Sequence, residues 1–140
     1  MTRIHIHLDV ENLDKSVAYY TAMFGVGPHV LKDDYAKWSL DDPSLNLALS
    51  THAAETPCGH SGVSHLGIEA PTESKLRTLY DRADNAAARL EEGHTTCCYA
   101  RSEKSWSTDP DGVKWELFHT YGDSETYYAP EPQRGPCCAG

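Results

Sequence analysis

The chain has 140 residues, one domain's worth and enough to bury a core. Its 12 basic residues stand against 21 acidic ones, a net charge of −9, which argues against nucleic acid or an anionic membrane surface as partner. No apolar run reaches the length of a membrane span, and "MTRIHIHLDVENLDKS" has no signal-peptide apolar region, so a cytoplasmic protein is expected.

In chain order, "RIHIHLDV" alternates, with Ile4, Ile6, Leu8 and Val10 on one face and His5, His7 and Asp9 on the other, and predicts a half-buried strand. "ENLDKSVAYYTAMFG" predicts a helix. Val17, Tyr20, Met23 and Phe24 form its stripe, Asn12 or Asp14 its cap and Gly25 its stop. Three strands follow in "PHVLK", "YAKWSL" and "LNLALS", and then a polar linker, "STHAAETPCGHSG". The pattern then restarts. "GVSHLGIEAP" reads as a strand. "TESKLRTLYDRADNAAARLEEG" reads as a helix with Thr72 or Ser74 as cap, a stripe through Leu76, Leu79, Tyr80, Ala83, Ala87 and Leu90, and Gly93 at its end. "TTCCYA", "SWSTDP" and "VKWELFHT" are expected strands, with a turn at Asp109–Gly112 before the last.

The expected organisation is therefore βαβββ, linker, βαβββ, an internal duplication with a period near sixty residues. His5 and His65 fall at the same point of the two repeats. A single strand histidine is more often an ordinary surface or core residue; two at matched positions, with Glu116 inside the apolar "KWELF", point to a shared site. His7 shares a face with His5 and is its rival. His119 is expected on the opposite face from Glu116, and His29, His52, His60 and His94 read as ordinary surface residues.

"IHIHLDVENLDKSVAYYTAMFG", "GVSHLGIEA" and "TDPDGVKWELFH" carry a resemblance to the vicinal oxygen chelate (glyoxalase/extradiol dioxygenase) superfamily. The resemblance implies an α+β fold in which two βαβββ modules, about 3–52 and 62–121, close a curved mixed sheet around a metal. The domain would span 1–121 and leave 122–140 as a flexible tail. It also implies His5, His65 and Glu116 as metal ligands, with the fourth position near Ala48, which has no donor. Two imidazoles and a carboxylate form the facial triad of non-haem Fe(II) oxygenases and leave coordination sites open. The family's modules pair within one chain or between chains, so a homodimer stays open.

Five cysteines, an odd number in an expected reducing compartment, read as free thiols. "TTCCYARSEKSWSTDPDGVKWELFHTYGD" is similar to a narrower group, the ArsI-type carbon–arsenic lyases and CadI-like proteins. That similarity implies an Fe(II)- and dioxygen-dependent lyase cleaving trivalent organoarsenicals such as methylarsenite to arsenite, with Cys97 and Cys98 holding the arsenic. Soft thiolates suit that thiophilic centre, and adjacent cysteines are poorly placed to bond each other. Lys104 and Tyr99 are expected behind the ligands; Phe24, Trp38, Trp106 and Tyr99 are candidates to flank an organic substituent. Residues 95–104 are expected to be mobile without substrate. Cys137 with Cys138 read as a second thiol site or as exposed tail, and Cys58 is unassigned. The alternatives are a soft-metal-binding protein without turnover, a glyoxalase or thiol transferase, and an extradiol-type dioxygenase.

Overall fold

A computed structural model describes residues 1–52, 61–97 and 99–127. The order is β1 (Arg3–Asp9), α1 (Leu13–Phe24), β2 (Val30–Lys32), β3 (Tyr35–Leu40), β4 (Leu45–Ser50), β5 (Gly62–Glu69), α2 (Glu73–Ala86), β6 (Leu90–Cys97), β7 (Ala100–Thr108) and β8 (Lys114–Asp123). All eight strands join one mixed sheet in the order β2-β3-β4-β1-β5-β8-β7-β6. Each module contributes four strands in the same sequence, and the modules meet where β1 runs antiparallel to β5. The sheet curls into a half-barrel, with the α+β fold expected of the superfamily.

Local chemistry sets the helices. The Asn12 side chain accepts from the Lys15 backbone N–H at 2.9 Å, and Gly25, at φ 71°, takes the left-handed turn that ends α1. Thr72 does the same at α2, accepting from Lys75 N–H at 3.2 Å. Leu13, Val17, Tyr20 and Phe24 pack onto Trp38, Leu47 and Leu49, while Met23, expected in that stripe, is exposed. Under α2 the core is Ala70, Leu76, Tyr80 and Leu117.

Two expectations give way. Helix α2 stops at Ala86 instead of running to Gly93; Leu90 opens β6 and pairs with Trp106. Long-range pairing overrides local helix preference there. "TTCCYA" is not one strand, because β6 ends at Cys97 and β7 starts at Ala100, the two paired as a hairpin. Tyr99, at φ 58°, makes that turn in a conformation that non-glycine residues adopt uncommonly. At the other end, β8 continues to Asp123, and Tyr127 is buried against Tyr35 and Ala48. Cys58, His60, Cys98, Cys137 and Cys138 lie outside the described residues.

Candidate metal centre

Alternation along the strands sorts each side chain to one face of the curled sheet. The apolar face of β1 (Ile6, Leu8) packs toward α1, and its polar face turns into the concavity, where His5 and His7 are 5% and 1% exposed. The histidine face is thus the inner one. Period two separates faces but does not say which faces inward, so the burial of His7 was not readable from the sequence. On β4, Leu45, Leu47 and Leu49 pack toward α1, and Asn46, Ala48 and Ser50 share the other side with the histidines.

His5, His65 and Glu116 come together from β1, β5 and β8. Glu116 Oε2 lies 3.1 Å from His65 Nε2 and 3.4 Å from His5 Nε2. His5 Nδ1 is 3.1 Å from Asn46 Oδ1 and 3.2 Å from its carbonyl oxygen, so it donates there and presents Nε2 to the centre. Asn46, which sequence reading passed over, is oriented in turn by donating to Glu69 Oε2 at 2.9 Å. Gly67 makes the approach possible. It pairs with His5 on one side and Glu116 on the other, and a Cβ there would stand 2.6 Å from the Glu116 carbonyl oxygen and 3.3 Å from the His5 ring.

Lys104 Nζ donates to Glu116 Oε1, and both residues are buried. Burial alone would raise the Glu116 pKa, but Lys104, the His65 hydrogen bond and His5 outweigh it and hold the carboxyl well below its ordinary value. His5 moves the other way from a charged state. Burial lowers its pKa to about 4, Glu116 opposes this, and His65 and His7 add to it. At neutral pH the centre therefore offers a neutral His5 imidazole beside an ionised carboxylate. That is the protonation a divalent cation of borderline softness requires. The ligand atoms of His5, His7 and His65 also lie within 4.8 Å of one another. By donor chemistry the residues fit a bound metal.

A narrow cavity opens from this centre, lined by His5, Asn46, Lys104, Glu116, Phe118 and Cys97 among others. Phe118 meets the His5 ring edge-on at 5.1 Å, and Trp106 meets His65 at 5.0 Å. Phe24 and Trp38 instead belong to the core under α1, on the other side of the sheet. Cys97 is 2% exposed and disulfide-bonded, against the expectation of five free thiols. The redox poise of a compartment does not govern which sulfurs stand close together.

His119 turns away from the cavity, as parity requires, and donates to the Ala70 carbonyl at 2.9 Å. His52 is no ordinary surface residue. Its Nε2 lies 2.7 Å from Asp34 Oδ2, its ring stacks on Tyr127 at 3.8 Å, and Tyr99 donates to Asp34 Oδ1. Asp34 thus ties the Cys97 hairpin to module one, and the Tyr99 hydroxyl is engaged there. Nothing local in the sequence joins residues 34, 52, 99 and 127. His94 stacks on Tyr121 at 5.3 Å, and His29 Nδ1 accepts from Ser39 N–H at 3.1 Å.

Residues 3–117 match the family described as "Glyoxalase/Bleomycin resistance protein/Dioxygenase superfamily". A trivalent organoarsenical cleaving enzyme of Bacillus sp. (strain MD1) is 38% identical over 122 residues, covering 86% of this chain and 74% of that one. The cadmium-induced protein CadI of Mycobacterium bovis is 33% identical, covering 91% and 82%. Among solved structures, a glyoxalase/bleomycin resistance protein/dioxygenase superfamily member from Vibrio splendidus superimposes with a TM-score of 0.53 at 16% identity, covering 86% of this chain and 99% of that one. Among the described residues no helix is long and apolar enough to cross a membrane.

Proposed function

The chain belongs to the glyoxalase/bleomycin resistance protein/dioxygenase superfamily, and from that premise we propose that it is a C–As lyase acting on trivalent organoarsenicals. The observation that carries the reading is Cys97 lining the cavity that opens from His5 and Glu116. The organoarsenical-cleaving relative supports the substrate class.

His5, His65 and Glu116 would hold Fe(II), which when bound supplies activation of dioxygen, the co-substrate. Every other role falls to the chain itself. The Cys97 thiolate, with Cys98 as its partner, would bind the arsenic and leave the carbon substituent free, which turns a bimolecular encounter into an intramolecular one. That clamp needs Cys97 reduced, so activity is expected to require a thiol reductant. Lys104 holds Glu116 Oε1 and leaves Oε2 for the imidazole side. Phe118 and Trp106 wall the centre against water. The test is incubation of reduced protein with methylarsenite, in air and without oxygen, each with and without Fe(II), followed by arsenic speciation. Inorganic arsenite that appears only with both Fe(II) and oxygen is the expected result; its absence rejects the lyase.

A second reading, soft-metal or metalloid binding without turnover, is supported by the 33% identity to the cadmium-induced protein. Stoichiometric Cd(II) retention without arsenite formation would favour it.

A further inference from the structure

We propose that His7 is a fourth protein ligand of the same ion, supplying from module one the donor that Ala48 lacks; this rests on the metal-centre reading above. Across the β1–β5 junction His5 pairs with Gly67 and His7 with His65, around the central pair Ile6–Leu66. The two strands are therefore related by an internal twofold, on which His5 corresponds to His65 and His7 to Gly67. In the parallel pairings alongside, His7 neighbours Ala48 and Gly67 neighbours Glu116. Ala48 is thus the counterpart of Glu116.

Each module places one large donor beside one small residue at this junction, on exchanged strands. Module two has glycine on its first strand and the donor, Glu116, on its last. Module one has the donor, His7, on its first strand and alanine on its last. Gly67 is small because a Cβ would collide with Glu116. Ala48, fully buried, leaves its room to His7, itself 1% exposed.

The surroundings of His7 match those of a ligating histidine. Its Nε2 lies 2.9 Å from Ser50 Oγ, and Ser50 Oγ donates to Asp9 Oδ1 at 3.3 Å. Ser50 therefore accepts from His7 Nε2–H, which puts the imidazole lone pair on Nδ1. An imidazole whose second nitrogen is anchored, through a hydroxyl, on a carboxylate is the outer arrangement that fixes ring orientation and raises ligand basicity. His7 and His65 rings stand 5.0 Å apart, and the ligand atoms of His5, His7 and His65 share one 4.8 Å neighbourhood. The donor set becomes three imidazoles and one carboxylate. It leaves one fewer open position than the triad and favours nitrogen-seeking ions over purely oxygen-liganded ones.

Co(II) is the probe. Metal-free full-length protein and its His7→Gln variant are titrated with one equivalent of Co(II), and the hyperfine-shifted, solvent-exchangeable imidazole N–H resonances are counted by proton NMR. Three in the wild type and two in His7→Gln are expected. The Co(II) affinity should fall by more than the roughly 10–100-fold that loss of an outer-shell partner costs. The melting profile of metal-free His7→Gln checks that it folds. Two resonances in both proteins would overturn the proposal while leaving the triad intact, provided Glu116→Gln still weakens Co(II) binding. Binding indifferent to both His7→Gln and Glu116→Gln would instead overturn the metal-centre reading.

Discussion

The two modules are built alike and loaded differently. Module one buries a broad apolar cluster, Leu13, Ala36, Trp38, Leu40, Leu47 and Leu49, beneath α1. Module two has a smaller one, Ala70, Leu76, Tyr80 and Leu117, and buries Ser102, Glu103, Lys104, Ser105 and Glu116 in its strands. Glu103, Lys104, Ser105 and Glu116 are paired. Arg77 reaches Glu103 at 2.7 Å, Arg89 donates to Ser105 at 2.6 Å and lies 4.0 Å above the Tyr80 ring, and Lys104 pairs with Glu116. One half of the sheet is stabilised mainly by apolar packing. The other uses much of its interior to fix charged groups around a site to which both halves donate. Duplication thus allows a division of labour that a single βαβββ unit is too small to hold.

Substitutions in matched places test that division. Glu116→Ala is expected to have the largest effect. It removes the carboxylate paired with the buried Lys104 ammonium, which costs about 3–5 kcal/mol by denaturant melt. Glu116→Gln, which keeps the shape, should lose metal affinity with a smaller loss of stability. Trp38→Ala in module one is expected to cost about 3–5 kcal/mol through the cavity it leaves, while metal affinity of the folded protein stays within about threefold of wild type. A collapse of affinity in that variant below its melting temperature would contradict the division.

Acid should act through the inner face. His5 is held near 4 against an ordinary 6.5, so between those values the unfolded chain binds a proton that the folded chain refuses. Stability of the metal-free protein is expected to fall as pH drops through that window, by on the order of 2 kcal/mol. His5→Asn should flatten the slope, as followed by thermal melts at stepped pH. Glu116, whose pKa is depressed, adds its own loss only at lower pH, below the ordinary carboxyl range. Gly67→Ala is expected to cost about 1–3 kcal/mol and to weaken metal binding at the same time, because the new methyl stands against backbone. The smallest effects sharpen the likeness of the modules. Asn12→Ala and Thr72→Ala should each cost about 1 kcal/mol, since both caps accept the equivalent N–H.

The duplication was legible because period-two strands and period-3.6 helices restart after the linker, and the convergence of His5, His65 and Glu116 follows from that repeat. The opposite placement of His119 follows from parity. What stayed hidden was set by distant partners. Leu90 carries a helical stripe in sequence, yet Trp106 draws it into a strand. Tyr99 turns the hairpin without a glycine to announce it, held by Asp34 from the far module. Polar β1 residues look like a solvent face until the second module curls over them.

Gly67 also bears on the history open to this chain. Copying the β1 stretch over β5 would set a histidine at 67, in the room that Glu116 occupies; copying β5 over β1 would set a glycine at 7 and leave nothing beside Ala48. The halves still share an architecture but can no longer be exchanged, and each further substitution around the centre fits one half alone. Around the centre each half is the complement of the other and no longer its copy.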